Sequence, residues 1–373
     1  RLRIARGGST RGPDGLHASY GRALQVTPPP EPNLPAHATR SESRQPMGIP
    51  WSVAVPPEVY CEYCGVTMRD YHATPQAQMH VQLEGPRILH ERYGLPLRRS
   101  ISPDFTTYLT SSPFGLEFEV FEDQIPAPKG HPIHSIEEAA ALEVPEDMSQ
   151  AGSFPRAIEF FEWMKAHAPE GVSVGFGAGT QAPWTTAVLL RGHELFIEVV
   201  EQPDLVHRFL STLTESSIRQ RELSARLTGG DPFGVAIGFG DDYGGLLGPA
   251  HYTEFDVAYM LRIAEHFRAS SINTHTELLR RPHLAILQDA GWSYIDVGTD
   301  PHLTVRDCVE VLHIPFLVQF KSSQEMLLAT PDEVRATYRQ MVADGAQRMM
   351  VELCRGVPED NIRAFIDVAR EYE

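Results

Sequence analysis

From about residue 47 onward, short apolar runs rich in Val and Ile alternate with longer stretches whose apolar positions recur at helical spacing. The runs Val172–Phe176, Gly234–Phe239, Ser271–His275, Tyr294–Val297, Pro315–Phe320 and Met349–Leu353 are expected as strands. Between them, Pro203–Glu222, Tyr252–Arg268, Thr304–Leu312 and Pro331–Asp344 carry the helical pattern. Several of these open on Pro or an acid, where free N–H groups and the helix dipole favour such residues, and Thr330-Pro331-Asp332-Glu333 is the clearest start. Strand followed by helix, repeated along the chain, predicts an α/β protein with a parallel sheet. A (β/α)8 barrel over residues 47–373 suits this pattern better than a doubly wound sheet, because no Gly-rich dinucleotide turn follows an early strand. The segment 97–133, where Glu117–Glu122 alternates polar with apolar, is expected to leave the barrel as a hairpin.

Residues 1–46 follow another rule. They hold seven Arg, three acids and the run Pro28-Pro29-Pro30-Glu31-Pro32, with little periodic apolar pattern, and are expected to be a disordered leader. An Arg-rich, acid-poor start also suits a transit peptide, although the amphipathic helix such a peptide needs is hard to find. A floppy leader or an over-extended start before Met47 is the favoured reading on composition, and because the chain begins at Arg1 the sequence can also be a fragment.

Composition narrows the functional classes. Against 32 Lys and Arg stand 49 Asp and Glu, a net charge of −17 that repels phosphate backbones, so nucleic acid is not expected as a partner. Four cysteines are too few for a disulfide scaffold and suit a reducing compartment. No apolar run reaches membrane-spanning length. The expectation is a soluble, cytoplasmic protein.

In a (β/α)8 barrel the reactive groups stand at the carboxyl ends of the strands. His275 and Glu277, two residues apart in extended chain, project from one face and can enter one cavity. Cys354 closes a later strand whose end reaches the same mouth. One imidazole, one carboxylate and one thiolate make a candidate zinc site with an open fourth position; the alternative is a coincidence of types, with Cys354 packed as a small hydrophobe. Asp241-Asp242 follows the 234–239 strand and offers carboxylates to orient a ligand or act as base, or else an ordinary turn cap. Asp296 is a further acid without a partner in sequence. Cys61-Glu62-Tyr63-Cys64 reads as a helix face burying its thiols rather than as a metal or redox pair, and Gly175–Gly179 reads as a tight loop.

Taken together, Glu91-Arg92-Tyr93-Gly94, Gly179–Thr185, Glu201–Val206, Asp241-Asp242-Tyr243-Gly244 and Cys354–Asn361 resemble the uroporphyrinogen decarboxylase superfamily, in particular its branch of cobamide-dependent methyltransferases. The resemblance runs from roughly residue 50 to the end and implies a (β/α)8 barrel with its cleft at the strand carboxyl ends. The decarboxylases it brings to mind carry an Arg-bearing segment near the start. Here Ser52-Val53-Ala54-Val55-Pro56 stands in that place, leaving an acetate-rich porphyrinogen without a counter-charge. The methyltransferase branch has His-x-Cys on one strand and a Cys on the last, binding zinc. His275 and Cys354 match, while Glu277 replaces the first Cys and makes the set harder.

The resemblance thus implies a zinc-dependent enzyme that moves a methyl group between a corrinoid and a small substrate. His275, Glu277 and Cys354 would hold the metal, and Asp242 would orient a ligand. No corrinoid-binding His loop is found, so the cobamide is expected on a separate protein. Metal-free decarboxylation with Asp242 as proton donor, and a non-catalytic ligand-binding barrel, are the alternatives.

Overall fold

The computed structural model describes residues 48–177 and 180–373. The expected leader, residues 1–46, lies outside the described residues, as do Ala178 and Gly179 of the Gly-rich loop.

Eleven short strands follow one another: β1 (Trp51–Ala54), β2 (Ser100–Ile101), β3 (Phe118–Glu119), β4 (Ala127–Pro128), β5 (Ser173–Val174), β6 (Thr180–Gln181), β7 (Ile237–Asp241), β8 (Ile272–Thr276), β9 (Tyr294–Asp296), β10 (Phe316–Phe320) and β11 (Met349–Glu352). Seven form one parallel sheet in the order β1-β11-β10-β9-β8-β7-β6. The first strand thus pairs with the last, which is how a sheet wraps into a barrel. A separate parallel ladder joins β2 to β5, and β6 pairs with β7 at the edge of the larger sheet. Among the described residues the seven-stranded sheet ends at β1 on one side and at β6 on the other. The architecture is the expected (β/α)8 type.

All five residues of β10 are buried, as a strand covered on both faces requires. The main core fills the barrel and the layer beneath its helices with Trp184, Phe209, Phe316, Phe320, Tyr338 and Phe365 among its large members. A smaller cluster of Phe105, Phe154, Phe160, Phe161 and Phe176 sits under the excursion.

The excursion departs from expectation in one respect. Its hairpin is confined to two-residue strands, β3 against β4, and its first part supplies β2 to the barrel. The Cys61–Cys64 segment is helical, within Pro57–Cys64, and buries Cys61 fully but Cys64 only in part. No helix among the described residues is long and apolar enough to cross a membrane.

Candidate active site at the barrel mouth

Parallel strands deliver their last residues to one rim, and register then decides which side chains meet. His275 of β8 stands opposite Asp296 of β9, so the two side chains leave adjacent strands at the same height. Nδ1 of His275 donates to Oδ2 of Asp296 at 3.0 Å. The carboxylate is itself fixed: Gln319 of β10 donates to both of its oxygens, at 3.1 and 2.9 Å, and the Gly298 N–H donates to Oδ1 at 2.9 Å. The Asp296 side chain is 15% exposed and that of His275 is 40% exposed, so the acid is the sheltered member and the imidazole faces the opening.

Asp296 holds the His275 proton and raises its pKa to about 9 despite partial burial, with Asp242 and Glu277 adding to the effect. At neutral pH His275 is an imidazolium among carboxylates. Asp242, at the start of the loop after β7, has its pKa raised by burial and by Asp241 and Glu277, with His275 pulling the other way. Glu352 of β11 is raised by burial and by Asp296 and Glu277, again opposed by His275. Glu58, just past β1, is raised by burial and by Glu352 and Asp104. Acids thus come from the ends of five barrel strands, β1, β7, β8, β9 and β11. Tyr108 and Tyr243, whose phenols both feel Asp242, stand beside it.

Beneath this rim lies a second layer. Asp241, the last residue of β7, is fully buried. It accepts from Thr185 Oγ1 at 3.2 Å, from the Gly244 N–H at 2.9 Å and from Thr276 Oγ1 at 3.1 Å. Thr185 also accepts the Asp242 N–H at 3.0 Å. Asp241, expected beside Asp242 as a catalytic acid, therefore lies below the mouth and braces it. Strand alternation puts successive residues on opposite sides, which is why only one of the pair reaches the opening.

The pattern of the family described as uroporphyrinogen decarboxylase (URO-D) matches residues 37–372. The chain belongs to the URO-D family. Relatives include the uroporphyrinogen decarboxylase of Prochlorococcus marinus, 22% identical over 77% of this chain and 88% of that protein. That of Gloeobacter violaceus is 26% identical over 76% and 88%. Among solved structures, a methyltransferase from Methanosarcina mazei superposes with a TM-score of 0.65, covering 87% of this chain and 94% of its own at 18% identity, and so shares the fold.

On this URO-D scaffold the three residues expected to hold zinc do not form a ligand set. Among the described residues no three His, Cys, Asp or Glu side chains are grouped to hold a metal ion. Glu277 turns toward β9, accepting from the N–H and Oγ1 of Thr299 at 3.3 Å each. Burial pushes the pKa of the Cys354 thiol up, with the Glu58 charge adding to it. His275 alone has a ligand-like arrangement, its Nδ1 on a carboxylate and Nε2 without a protein partner among the described residues. As arranged, the trio does not fit the ion.

Sequence reasoning left Asp296 without a partner and passed over Gln319, Glu352 and Glu58. Register supplies what spacing along the chain cannot. Glu352 did leave a signal, a carboxylate ending an apolar strand just before Cys354.

Proposed function

We propose that this URO-D family member is a methyltransferase-like enzyme that takes a small, uncharged or cationic methylated substrate at the barrel mouth. The methyl group passes to or from a corrinoid carried by a separate protein. The observation that carries the reading is the His275–Asp296 pair at an acidic rim. A carboxylate-rich porphyrinogen would meet Asp242, Glu277, Asp296 and Glu352 there, whereas a neutral ether or a methylammonium group would not be repelled.

His275 is the group suited to the reacting heteroatom. When a carbon–heteroatom bond breaks and the methyl group departs to its acceptor, the bonding pair stays on the heteroatom, and Nε2 of His275 delivers a proton there. Asp296 keeps the ring oriented throughout, and Asp242 with Glu352 exclude anionic competitors. Because the zinc trio is not assembled, no step is routed through a metal.

The test uses the full chain with free cob(I)alamin and two families of probe, aryl methyl ethers and methylamines, followed by the appearance of methylcobalamin. Transfer from a member of either family is expected, falling by about 10²-fold or more in His275→Gln, the usual scale for losing a positioned proton donor. No transfer, together with formation of coproporphyrinogen from uroporphyrinogen, would replace this reading with decarboxylation. Stoichiometric zinc that disappears in Cys354→Ala would restore the metal-centred version.

A further inference from the structure

Directly behind Asp241 a second carboxylate is buried where nothing answers it. Asp256 has no exposed surface, and neither of its oxygens has a hydrogen-bond partner of the ordinary kind. It belongs to Thr253–Val257, a π-helical turn inside the helical run from Pro249 to His266, and turns of that kind often mark sites with a task. Its carboxyl contacts that of Asp241, and the two converge on Gly244, where even a methyl group would collide with an oxygen of each.

Two ionised carboxylates cannot share a dry pocket without a counter-charge. The groups facing them are enumerable. Thr185 reaches Asp241 from the helix Pro183–Arg191, Thr276 from β8 and the Gly244 N–H from the loop, while Asp242 is the next residue along the chain. Tyr252 lies one turn before Asp256, its buried hydroxyl beside Asp241 and within the field of both carboxylates, with His283 edge-on against its ring. His283 is committed elsewhere, to the Leu247 carbonyl and the Arg280 N–H. Asp256 feels its burial, the charge of Asp241 and a hydrogen-bonding contact with that carboxyl, and no cation acts on it. A proton is the remaining counter-charge.

We propose that Asp241 and Asp256 hold one proton between them, donated by Asp256. We further propose that this bridged pair makes Asp256 a positioning residue, tying the end of β7, which carries Asp242, to the end of β8, which carries His275. Burial pushes the Asp241 pKa up as well, but Asp241 is the partner that receives donors, from Thr185, Thr276, the Gly244 N–H and Asp256, which oppose that rise and make it the ionised member of the pair. The strand-end link follows directly: Thr276 lies between His275 and Glu277, and Asp241 precedes Asp242. The inference uses the proposed mouth only for its consequence; none of its readouts needs a substrate, so it stands or fails apart from the methyl-transfer reading.

Infrared spectra of the full chain near neutral pH should show the C=O stretch of a protonated carboxyl that is missing in Asp256→Asn. Its absence from the wild-type protein would overturn the proposal, whether or not the variant folds. Urea unfolding at several pH values supplies the thermodynamic arm. An acid that stays protonated in the folded state but ionises in the unfolded one loses stability as pH rises above its unfolded value of about 4. Relative to Asp256→Asn, the wild-type folding equilibrium should therefore fall tenfold per pH unit between about pH 5 and 7. A ratio independent of pH would overturn the shared proton. The amide resonances of Asp242 and Thr276 report on positioning. They should move in Asp256→Ala, which has no donor, and stay in place in Asp256→Asn, whose amide can donate to Asp241; equal disturbance in both would overturn the positioning role.

Discussion

A methyl group added at Gly244 has no free space, because it would enter the contact between Asp241 and Asp256 and press on the Tyr252 ring. The glycine is required here for room, not for a left-handed backbone. Gly238, on β7 before this loop, has open space around the corresponding point. Gly244→Ala should therefore cost about 2–3 kcal/mol by overpacking, while Gly238→Ala stays within about 0.5 kcal/mol, as read from urea unfolding. Gly298 is constrained differently. Its φ of 57° is left-handed, and a Cβ would lie 2.6 Å from Oε1 of Glu277. At His275 the sign of the pH effect follows from its partner. The folded pKa of about 9 lies above the unfolded value of about 6.5, so the stability gained from Asp296 is complete below pH 6.5 and is lost as pH rises through 9. The stability difference between wild type and Asp296→Asn should shrink across that interval. A difference that grows with pH would contradict the ion pair.

The elements show which signals in the sequence were sufficient. Apolar runs such as Phe316–Phe320, broken only by Gln319, and Met349–Val351 were legible because a buried parallel strand leaves a nearly continuous apolar stretch. β2 and β6 are two residues each, too short for any period to register, whereas β5 falls inside the expected run Val172–Phe176; β1 is soon followed by Pro56-Pro57, which reads as a turn. The helix Pro331–Ala343 was legible from its first residues. Thr330 caps the Glu333 N–H, and Glu333 Oε2 accepts the Thr330 N–H at 2.8 Å. Thr330→Ala removes one side of that reciprocal pair and should lower stability by about 1 kcal/mol, seen as a shift in the urea midpoint at constant slope. At the mouth, legibility stopped where contacts depend on register. His275, Glu277 and Asp242 could be named as strand-end residues, but the Asp296 partnership lies 21 positions away and is created by β8–β9 pairing. Asp256 was hidden more thoroughly, because a single acid on the apolar face of a predicted helix looks like a lapse in pattern until the strand behind it is in place.

For the whole molecule, charge joins the rim to long-range behaviour. A chain of net charge −17 whose barrel mouth gathers Asp242, Glu277, Asp296, Glu352 and Glu58 around one imidazolium presents a negative potential to anything approaching it. Arg355 offsets this field only in part: its charge reaches Glu58, but it pairs with Glu62 and Asp123 and bonds the Asp123 carbonyl. Such a potential concentrates cations and is weakened by salt, whose screening length falls from about 10 Å at 0.1 M to about 3 Å at 1 M. The substrate charge can therefore be read without knowing the substrate. With methylamine probes kept in their ammonium form, the apparent KM should rise several-fold between 0.05 and 0.5 M salt, as the steering field is screened. With aryl methyl ethers it should hold nearly constant, because a neutral ligand gains nothing from the field. Replacing Glu352, which lies on the rim but outside the His275–Asp296 pair, with Gln should reduce the salt response for ammonium probes and leave the ether response alone. A KM that falls with salt for ammonium probes would mean the field at the mouth is positive where binding occurs, and the acidic rim would then face away from the path the substrate takes.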